Sequence, residues 1–406
     1  MKTAQEIKNL KAAARRIKTA IAAKERIIVY GDADLDGVCA AIMIGEMIKN
    51  GGGKTAAYYF PNREKEGYGI TKIALKKLAP LAPALLIAVD LGIGNFEEAK
   101  LARAAGFSTI IIDHHEILDG VPAADIVVDP KQDGDDYPFK FFSAAGLVFK
   151  LAEIFFENDF YGNLRQSFAE LAALATVADM MPRQDDNIDI ISEGLLALKQ
   201  SFRPGLRVFF DTDAFFENDS RNFNNRLNKI IAVLNVRDLR GDVPAAFELL
   251  TTDSLARSKE LIREFLAINK LRRQKIEGAV AAVEALIAGK TAPIIFEGGH
   301  DWEMNLLGTI ASILSIKYAK PVFLYKILNG ETQGAVRSVD GIDSVELMKH
   351  CADLLITFGG HPKASGFRLK TQNLEKFKDC LAQNIKKKDA KINQKMNNID
   401  KCLNTS

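Results

Sequence analysis

Short apolar runs that alternate with helical stretches restrict the fold of this sequence more than any other feature. Five such runs lie in the first third of the chain, at 26–30, 56–60, 84–89, 109–112 and 125–128. Strands that are apolar on both faces and alternate with helices form parallel sheets covered on both sides. The sequence therefore predicts an α/β fold built on a parallel sheet.

Acidic side chains stand where four of these runs end. A parallel sheet brings its strand ends to one edge, so the crevice beyond that edge would collect these side chains. A later helical stretch contributes a further carboxylate, and two adjacent histidines follow the fourth run. So many partly desolvated carboxylates require cations to stay ionised, and hard divalent ions meet that requirement. The set comprises Asp32, Asp34, Asp36, Asp90, Asp113, His114, His115 and Asp179.

Single members of this set, and Asp129 outside it, also have structural interpretations. Asp36 and Asp113 occupy positions typical of a helix N-cap, and Asp179 is compatible with an ordinary helix end. Asp129 precedes Pro130 and is typical of a turn, although it also follows an apolar run. These alternatives stay open for each residue taken alone, but they do not account for the whole set.

The second half of the chain predicts a separate α/β unit over residues 292–370. Within it, FGGHPKASGF at 358–367 places two glycines before His361, where the backbone can approach a ligand closely and expose N–H groups to a phosphate. Arg337 is a candidate phosphate clamp at the end of a predicted strand, and Arg226 is similar. A tight turn and ordinary surface arginines are the alternative interpretations.

The composition of the chain argues against several kinds of site and segment. Lys and Arg total 54 against 52 Asp and Glu, so bulk charge neither requires nor excludes a nucleic-acid partner. The four cysteines form no CxxC pair, which argues against a zinc ribbon and predicts reduced thiols in a cytosol. No stretch approaches about 20 apolar residues, so no membrane span is predicted. The N-terminus lacks the apolar core of a signal peptide, and a cytoplasmic location is expected.

The motifs together resemble those of a known family. DADLDG (32–37), VD (89–90), DHH (113–115) and VAD (177–179) are similar to the four motifs of the DHH phosphoesterases, and FGGH (358–361) resembles the glycine–histidine motif of their DHH-associated domain. Within that superfamily the chain is most similar to the RecJ-type single-strand exonucleases. The supporting segments are 61–70, 137–155 and 306–325, and the resemblance covers about residues 25–370.

The resemblance implies a division of the chain. A parallel-sheet DHH domain would cover 1–250 and include an N-terminal helix at 4–24. A long connecting helix at 251–288 would join it to a smaller α/β DHH-associated, substrate-binding domain at 289–383. A basic tail would follow at 384–406.

The resemblance also implies an activity and its residues. The chain would be a metal-dependent phosphodiesterase that releases nucleotides from single strands, 5′ to 3′ on DNA, by two-metal hydrolysis. Two Mn²⁺ ions are expected, with Mg²⁺ as the alternative. The implied metal ligands are Asp32, Asp34, Asp90, His114 and Asp179; the implied catalytic residues are His115, Asp36 and Asp113; and the implied substrate-binding residues are Gly359, Gly360, His361, Arg337 and Arg226.

Two other functions remain open at this level. One is a nanoRNase or dinucleotide phosphodiesterase of the same superfamily, and the other is a non-catalytic replication-associated protein. RecJ-type proteins typically continue with an OB-type domain, whereas about 20 residues follow the second predicted domain here, so RNA and short oligonucleotides remain candidate substrates beside single-stranded DNA. Replication or repair proteins are candidate partners, and the sequence does not predict an oligomeric state.

Overall fold

The structure, a computed structural model, describes residues 6–63, 65–211, 223–235, 239–240 and 243–385. The chain divides into two compact units between Asn269 and Lys270. The tail predicted at 384–406 lies outside the described residues from 386 onward, as do residues 4 and 5 of the predicted N-terminal helix.

The first unit is built on a five-stranded parallel sheet, as predicted. Its strands lie in the order β2-β1-β3-β4-β5, so the order reverses between β1 and β3. In open α/β sheets this reversal opens a crevice at the carboxyl ends of the strands. The strands are β1 (Ile27–Gly31), β2 (Thr55–Tyr59), β3 (Ala84–Val89), β4 (Phe107–Ile112) and β5 (Ile126–Val128).

Helices cover both faces of this sheet because successive strand residues point to opposite sides. Ile27 and Val29 pack into the core that contains α1, α2, α5 and α6, whereas Ile28 and Tyr30 pack into the core beneath α3 and α4. The helices are α1 (Leu10–Ala22), α2 (Leu35–Asn50), α3 (Lys72–Leu78), α4 (Phe96–Ala104), α5 (Ala144–Phe156) and α6 (Gly162–Ala178).

The rest of the first unit is mainly helical. It comprises α7 (Asp186–Leu198), α8 (Pro204–Asp211), α9 (Phe223–Leu234), the short antiparallel pair β6 (Leu239–Arg240) and β7 (Val243–Pro244), and α10 (Ala245–Thr251). The helical stretches that alternate with the apolar runs correspond to α2, α3 and α4. The N-terminal helix begins later than predicted, because Asn9 is left-handed with φ 66°.

A buried arginine joins three of these helices. The Arg203 guanidinium donates to Glu46 Oε2 on α2 and Ser167 Oγ on α6, both at 2.8 Å, and to the Leu250 carbonyl on α10 at 3.0 Å. Glu170 Oε1 lies 3.1 Å from Nε of the same guanidinium. Burial raises the pKa of Glu170 to about 7, although the charge of Arg203 opposes that shift. One cation therefore serves two carboxylates in the interior.

The 33-residue helix α11 (Leu255–Ile287) contains the division between the units. Leu261, Ile262 and Phe265 belong to the core of the first unit, and Val283 belongs to a core of the second. The first part of the helix therefore contributes to the core of the first unit, and its last part contributes to a core of the second.

The second unit contains a five-stranded mixed sheet in the order β11-β12-β10-β9-β8, in which β8 and β9 are parallel and the other pairs antiparallel. The strands are β8 (Ile295–Gly299), β9 (Val322–Leu328), β10 (Glu331–Arg337), β11 (Leu355–His361) and β12 (Ala364–Lys370). Helices α12 (Met304–Tyr318) and α13 (Ser344–Lys349) accompany them, and residues 374–385 are helical.

The prediction that the cysteines are reduced thiols is wrong for one pair. Cys351 and Cys380 form a disulfide with Cα atoms 6.2 Å apart. Their separation of 29 residues carries no motif, and the β11–β12 hairpin between them returns the chain to the end of α13. Cys39 is buried as a free thiol, and Cys402 lies outside the described residues.

Across the described ranges, no helix has both the length and the apolar character that crossing a bilayer requires.

Candidate metal centre

The first acidic motif lies in the tight connection between β1 and α2. The chain turns directly from Gly31 into the helix, and Asp34 is the N-cap, with its side chain accepting from the Gly37 N–H at 3.3 Å. A Cβ at Gly37 would stand 2.5 Å from the carbonyl oxygen of Asp32. The glycine thus lets the helix approach the strand end closely, which places Asp32 and Asp34 together at the crevice.

Asp36 lies in the first turn of α2, but its side chain caps a different helix, α5. Its two carboxylate oxygens accept from the backbone N–H groups of Ala144 and Ala145, at 2.7 and 2.8 Å, at the beginning of α5. Its Oδ2 also lies 3.7 Å from His114 Nε2. Burial raises its pKa to about 7, against the effect of those two amides. Asp36 therefore joins the start of α5 to the acidic cluster.

Asp90 stands at the end of β3 in a left-handed conformation, with φ 63°. Its N–H donates to the Ile112 carbonyl of β4 at 3.0 Å, and its Oδ1 lies 3.2 Å from His114 Nε2. Left-handed backbone is costly for most residues with a side chain, and aspartate and asparagine are among those that tolerate it. This strained turn directs the carboxylate toward the crevice.

Asp113 holds the two histidines. Its Oδ1 accepts from the N–H groups of His114 and His115 and lies 2.7 Å from His115 Nδ1, and its Oδ2 accepts from the Ile93 N–H at 2.9 Å. Burial alone would raise its pKa, but the His115 imidazole and these hydrogen bonds together lower it below the usual range. Asp113 therefore holds the backbone of both histidines and orients the His115 ring.

Metal-ligating atoms converge at this edge of the sheet. Three groups each have one ligand atom per residue within 4.8 Å of one another: Asp32, Asp34 and Asp90; Asp36, His114 and Asp179; and Asp90, His114 and His115. Asp179 is the C-cap of α6, and its Oδ2 lies 3.5 Å from His114 Nε2. The groups share members and form one acidic cluster of seven of the eight predicted residues, and the eighth, Asp113, adjoins it through His115.

The cluster is electrostatically unfavourable without a cation. Burial and the carboxylates of Asp34, Asp36 and Asp179 raise the pKa of Asp90 well above its usual range. Carboxylate oxygens combined with an imidazole nitrogen are a donor set that suits Mn²⁺, and Mg²⁺ with its preference for oxygen is the alternative. The residues therefore fit a divalent metal ion.

Two functional candidates were missed in the sequence. The Arg63 guanidinium donates to Asp32 through Nε at 3.0 Å and through Nη2, and its Nη2 lies 3.4 Å from Asp34 Oδ2. The guanidinium also stacks over the Tyr68 ring at 4.8 Å. The Tyr68 hydroxyl lies 3.3 Å from His115 Nε2. Both residues lie in the segment 61–70, which supported the family resemblance. That resemblance was the available sequence signal for a role of these residues, but no role was assigned to them.

Side chains from β1 and from the start of α4 anchor this segment. The Tyr30 hydroxyl, at the end of β1, donates to the Gly69 carbonyl at 3.0 Å and accepts from the Thr71 N–H at 3.3 Å. The Asn95 side chain binds the N–H and carbonyl of Ile70. Arg63 and Tyr68 are thus presented to the cluster by an anchored loop.

Replacing Arg63 with methionine is expected to lower the melting temperature in EDTA, because Asp32 and Asp34 then lose their cation. Loss of one partner of a buried ion pair costs several kcal/mol, and partial exposure of Arg63 reduces this to about 2 kcal/mol. Mn²⁺ should raise the melting temperature of the variant more than that of the parent, since binding stabilises the folded state by mass action. Thermal unfolding with EDTA or Mn²⁺ measures both effects.

Arg103→Met is the matched control, because Arg103 pairs with Asp125 at an exposed position. It should leave the Mn²⁺-induced shift at the parent value. An equal shift in Arg63→Met and the parent would contradict the assignment of Arg63 as the counter-ion of the cluster.

The second unit places two of the predicted substrate residues in one row of its sheet. Arg337 on β10 and His361 on β11 both pair with Ala364 of the intervening strand β12. Residues in one row of a sheet point to the same face, so the two side chains lie two strands apart on a common face. The Arg337 guanidinium donates to Ser312 Oγ at 3.1 Å, and a Cβ at Gly308 would come within 2.9 Å of it.

Gly359 and Gly360 do not form the tight turn that was their alternative interpretation. They lie within β11, and the turn of the hairpin follows at 362–363. Gly360 has φ 127°, and a Cβ there would stand 2.6 Å from the Ala364 carbonyl oxygen, so close strand packing requires a glycine. Arg226 lies on α9 with its guanidinium 5.8 Å from the Phe210 ring centre, and its role in binding stays a prediction.

Asp129 follows β5 and begins the turn that its position before Pro130 predicts. Its Oδ1 accepts from the Lys131 N–H at 2.8 Å, and its carbonyl accepts from the Gln132 N–H at 3.1 Å. Burial raises its pKa to about 7. Lys131 in turn donates to the His114 carbonyl at 2.7 Å, which links this turn to the DHH motif.

Known protein families account for this arrangement. The model of the DHH family N-terminal domain matches residues 26–176, and that of the DHHA1 domain matches residues 278–387. The chain carries a DHH domain followed by a DHHA1 domain. The two matches confirm the resemblance inferred from the motifs.

Curated relatives of this chain include RecJ proteins. It is 33% identical over 389 residues to the single-stranded-DNA-specific exonuclease RecJ of Bacillus subtilis (strain 168), which covers 93% of this chain and 48% of that protein. It is 27% identical to the RecJ of Dickeya dadantii (strain 3937), over 90% of this chain and 67% of that protein. The chain thus spans about half the length of one relative and two thirds of the other.

Solved structures of RecJ proteins also match this chain. A crystal structure of exonuclease RecJ bound to manganese matches with a TM-score of 0.74 and 27% identity, over 94% of this chain and 95% of that one. RecJ in complex with Mn²⁺ from Thermus thermophilus matches with a TM-score of 0.78 and 26% identity, over 94% of this chain and 55% of that one. The predicted fold class, a parallel-sheet DHH domain with a smaller α/β domain, is confirmed.

Proposed function

We propose that this chain is a metal-dependent phosphodiesterase, a RecJ-like exonuclease that releases nucleotides from single-stranded nucleic acid. The supporting observation is the convergence of carboxylates from separate strand ends with His114 in one crevice. Because RecJ relatives are named as exonucleases specific for single-stranded DNA, that strand is the proposed substrate, with 5′ to 3′ release.

The proposed metal ligands are Asp32, Asp34, Asp90, His114 and Asp179, for two Mn²⁺ ions or alternatively Mg²⁺. Similar RecJ proteins are described as bound to Mn²⁺ or Mg²⁺. Such ions activate water and stabilise the attacking and leaving oxygens of a phosphodiester. Asp36 and Asp113 support this centre, Asp36 through the start of α5 and Asp113 through the histidines.

His115 and Arg63 are the proposed phosphate contacts at the cluster. Asp113 fixes the His115 ring through Nδ1, which directs Nε2 toward the Tyr68 hydroxyl. Arg63 offers a planar set of donors that matches two oxygens of a phosphate. A phosphate at the cluster would meet an oriented imidazole and a guanidinium from the anchored loop.

The second unit is proposed to bind the strand end through phosphate. Arg337 and His361 share one face of its sheet, and Gly359 and Gly360 leave the backbone of β11 accessible beside them. Arg226 is proposed as a further phosphate contact from the first unit. The proposed domains are the DHH domain at 1–250, a connecting helix at 251–288, the DHHA1 domain at 289–383 and a basic tail at 384–406.

The proposed substrate suggests where the protein acts. Single-stranded intermediates arise during DNA repair and recombination, so a cytoplasmic role in those processes, with replication or repair proteins as partners, follows from the proposal.

End-labelled single strands of DNA and RNA in several lengths, incubated with Mn²⁺, Mg²⁺ or EDTA, test the function. Stepwise mononucleotide release from the 5′ end of long DNA, abolished by EDTA, is the expected result. Cleavage limited to strands of two to five nucleotides would indicate a nanoRNase instead. Absence of hydrolysis with every metal and strand would overturn the proposal in favour of a non-catalytic role.

A further inference from the structure

Three large apolar side chains are exposed on segments that adjoin the acidic cluster. Phe141 is 46% exposed, Met180 is 88% exposed and Ile188 is 51% exposed. We call these three residues the apolar rim. Exposed apolar groups that are gathered in one place commonly mark a binding surface.

Two members of the rim are attached to the cluster through short backbone links. Met180 directly follows Asp179 and is left-handed, with φ 57°, and its N–H donates to the Val177 carbonyl at 3.2 Å. Phe141 lies two residues before Ser143, the N-cap of α5, whose first amides bind Asp36. The positions of both side chains therefore depend on the segments that form the cluster.

A buried amide holds the three segments of the rim together. Asn187 is fully buried, and its Nδ2 donates to the Phe141 carbonyl at 2.8 Å and the Pro182 carbonyl at 3.0 Å. Ile188 is the next residue, and Met180 lies two residues before Pro182. The exposed side chains thus stand on a hydrogen-bonded framework, which fixes them without covering them.

We propose that the apolar rim stacks the nucleobases of a single strand whose phosphate the acidic cluster binds; this inference rests on the proposed function. A nucleotide combines an anionic phosphate with an apolar ring face, and this edge of the first unit offers a cation-binding cluster beside apolar side chains. Every base has such a face, so stacking tolerates any sequence. The rim would therefore select strands that carry bases without selecting their order.

The test compares a thymidine strand with an abasic strand of the same length. Binding is measured by fluorescence anisotropy with Mn²⁺ in an Asp90→Asn background, which prevents hydrolysis. In that background, the chain with an unchanged rim should bind the thymidine strand at least 10-fold more tightly than the abasic strand. This difference corresponds to the binding free energy of one or two stacked bases. Met180→Ser combined with Phe141→Ser should reduce this preference to within about 2-fold.

Hydrolysis of methyl p-nitrophenyl phosphate, which has no nucleobase, is measured for the same rim changes in the chain with Asp90 intact and should not change. Leu101→Ser is the matched control, because Leu101 is 44% exposed on α4, over the opposite face of the sheet. It should keep the full preference for bases. Met180→Ser alone, at the most exposed position, provides a second variant that should fold and lose part of the preference.

The outcomes separate the rim from the proposed function. If the parent hydrolyses single strands but the rim variants keep its preference for bases, the rim inference is overturned and the function stands. If the parent hydrolyses nothing with any metal, both are overturned. If rim changes alter the oligomeric state and leave the preference intact, the surface joins copies of the chain and the rim inference is likewise overturned.

Discussion

Replacing Asp90 with asparagine is expected to reduce Mn²⁺-dependent nucleotide release at least ~1000-fold while leaving the metal-free protein as stable as the parent or more so. The activity should fall because the Asp90 carboxylate lies between the group of Asp32 and Asp34 and the group around His114. Loss of a metal ligand removes the electrostatic stabilisation on which this chemistry depends.

Stability should not fall, because asparagine keeps the size and backbone tolerance that the left-handed turn at position 90 requires. The substitution also removes one of several mutually repelling carboxylates, which raise the pKa of Asp90 in the parent. Melting temperature in EDTA and the rate of release from end-labelled DNA measure the two effects.

Asp185→Asn is the matched control, since Asp185 is another aspartate with a positive φ, 46°, and is exposed. It should keep full activity. An active Asp90→Asn would refute the metal centre, whereas a variant that is inactive because it fails to fold would show that the carboxylate is structural.

Replacing Arg203 with methionine is expected to lower the free energy of unfolding by about 3 to 5 kcal/mol, the cost of removing one partner from a buried ionic group. The variant would leave Glu46 and Glu170 without their shared cation and the Leu250 carbonyl without its donor. Urea denaturation at neutral pH measures the change.

The deficit should also depend on pH. The folded pKa of Glu170 already lies near 7, above its ordinary value of 4.5, and burial is the cause. A raised folded pKa means that stability is lost as pH rises from the unfolded value through the folded one. Because removal of Arg203 raises that pKa further, the variant should lose more stability at pH 8 than at pH 5. A deficit that shrank with rising pH would contradict this account.

Arg165→Met supplies the comparison for that experiment. Arg165 also joins two carboxylates, those of Glu153 and Glu193, but it is about one third exposed. Partly solvated ion pairs contribute about 1 kcal/mol or less. A similar loss in the two arginine variants would show that burial does not explain the importance of Arg203.

The sheet and the strand-end ligands could be predicted because both depend on local patterns. Apolar runs identify buried strands, and parallel strands place their ends at one edge whatever their order. Asp32, Asp90 and Asp113 were found in this way. Asp179 was included as a carboxylate of a helical stretch, but only the family motif implied that it is a ligand, since a helix-end aspartate carries no comparable signal.

Arg63, Asn187 and the Cys351–Cys380 pair could not be predicted in the same way, because each depends on distant contacts. Arg63 reaches the cluster through a loop whose anchors, Tyr30 and Asn95, belong to other elements. A tight turn was the alternative interpretation of Gly359 and Gly360, since two glycines favour turns. Only the pairing with β12 places them in a strand, where the approach of Ala364 requires a glycine at 360.

The capping of α5 by Asp36 has a consequence for fragments of this protein. A piece that stopped after β5 would retain every strand of the first sheet and most of the acidic motifs. It would nevertheless leave the Asp36 carboxylate without the amides of Ala144 and Ala145, and it would lack Asp179. The smallest autonomous form of this centre must therefore extend through α6, well beyond the last strand that shapes it.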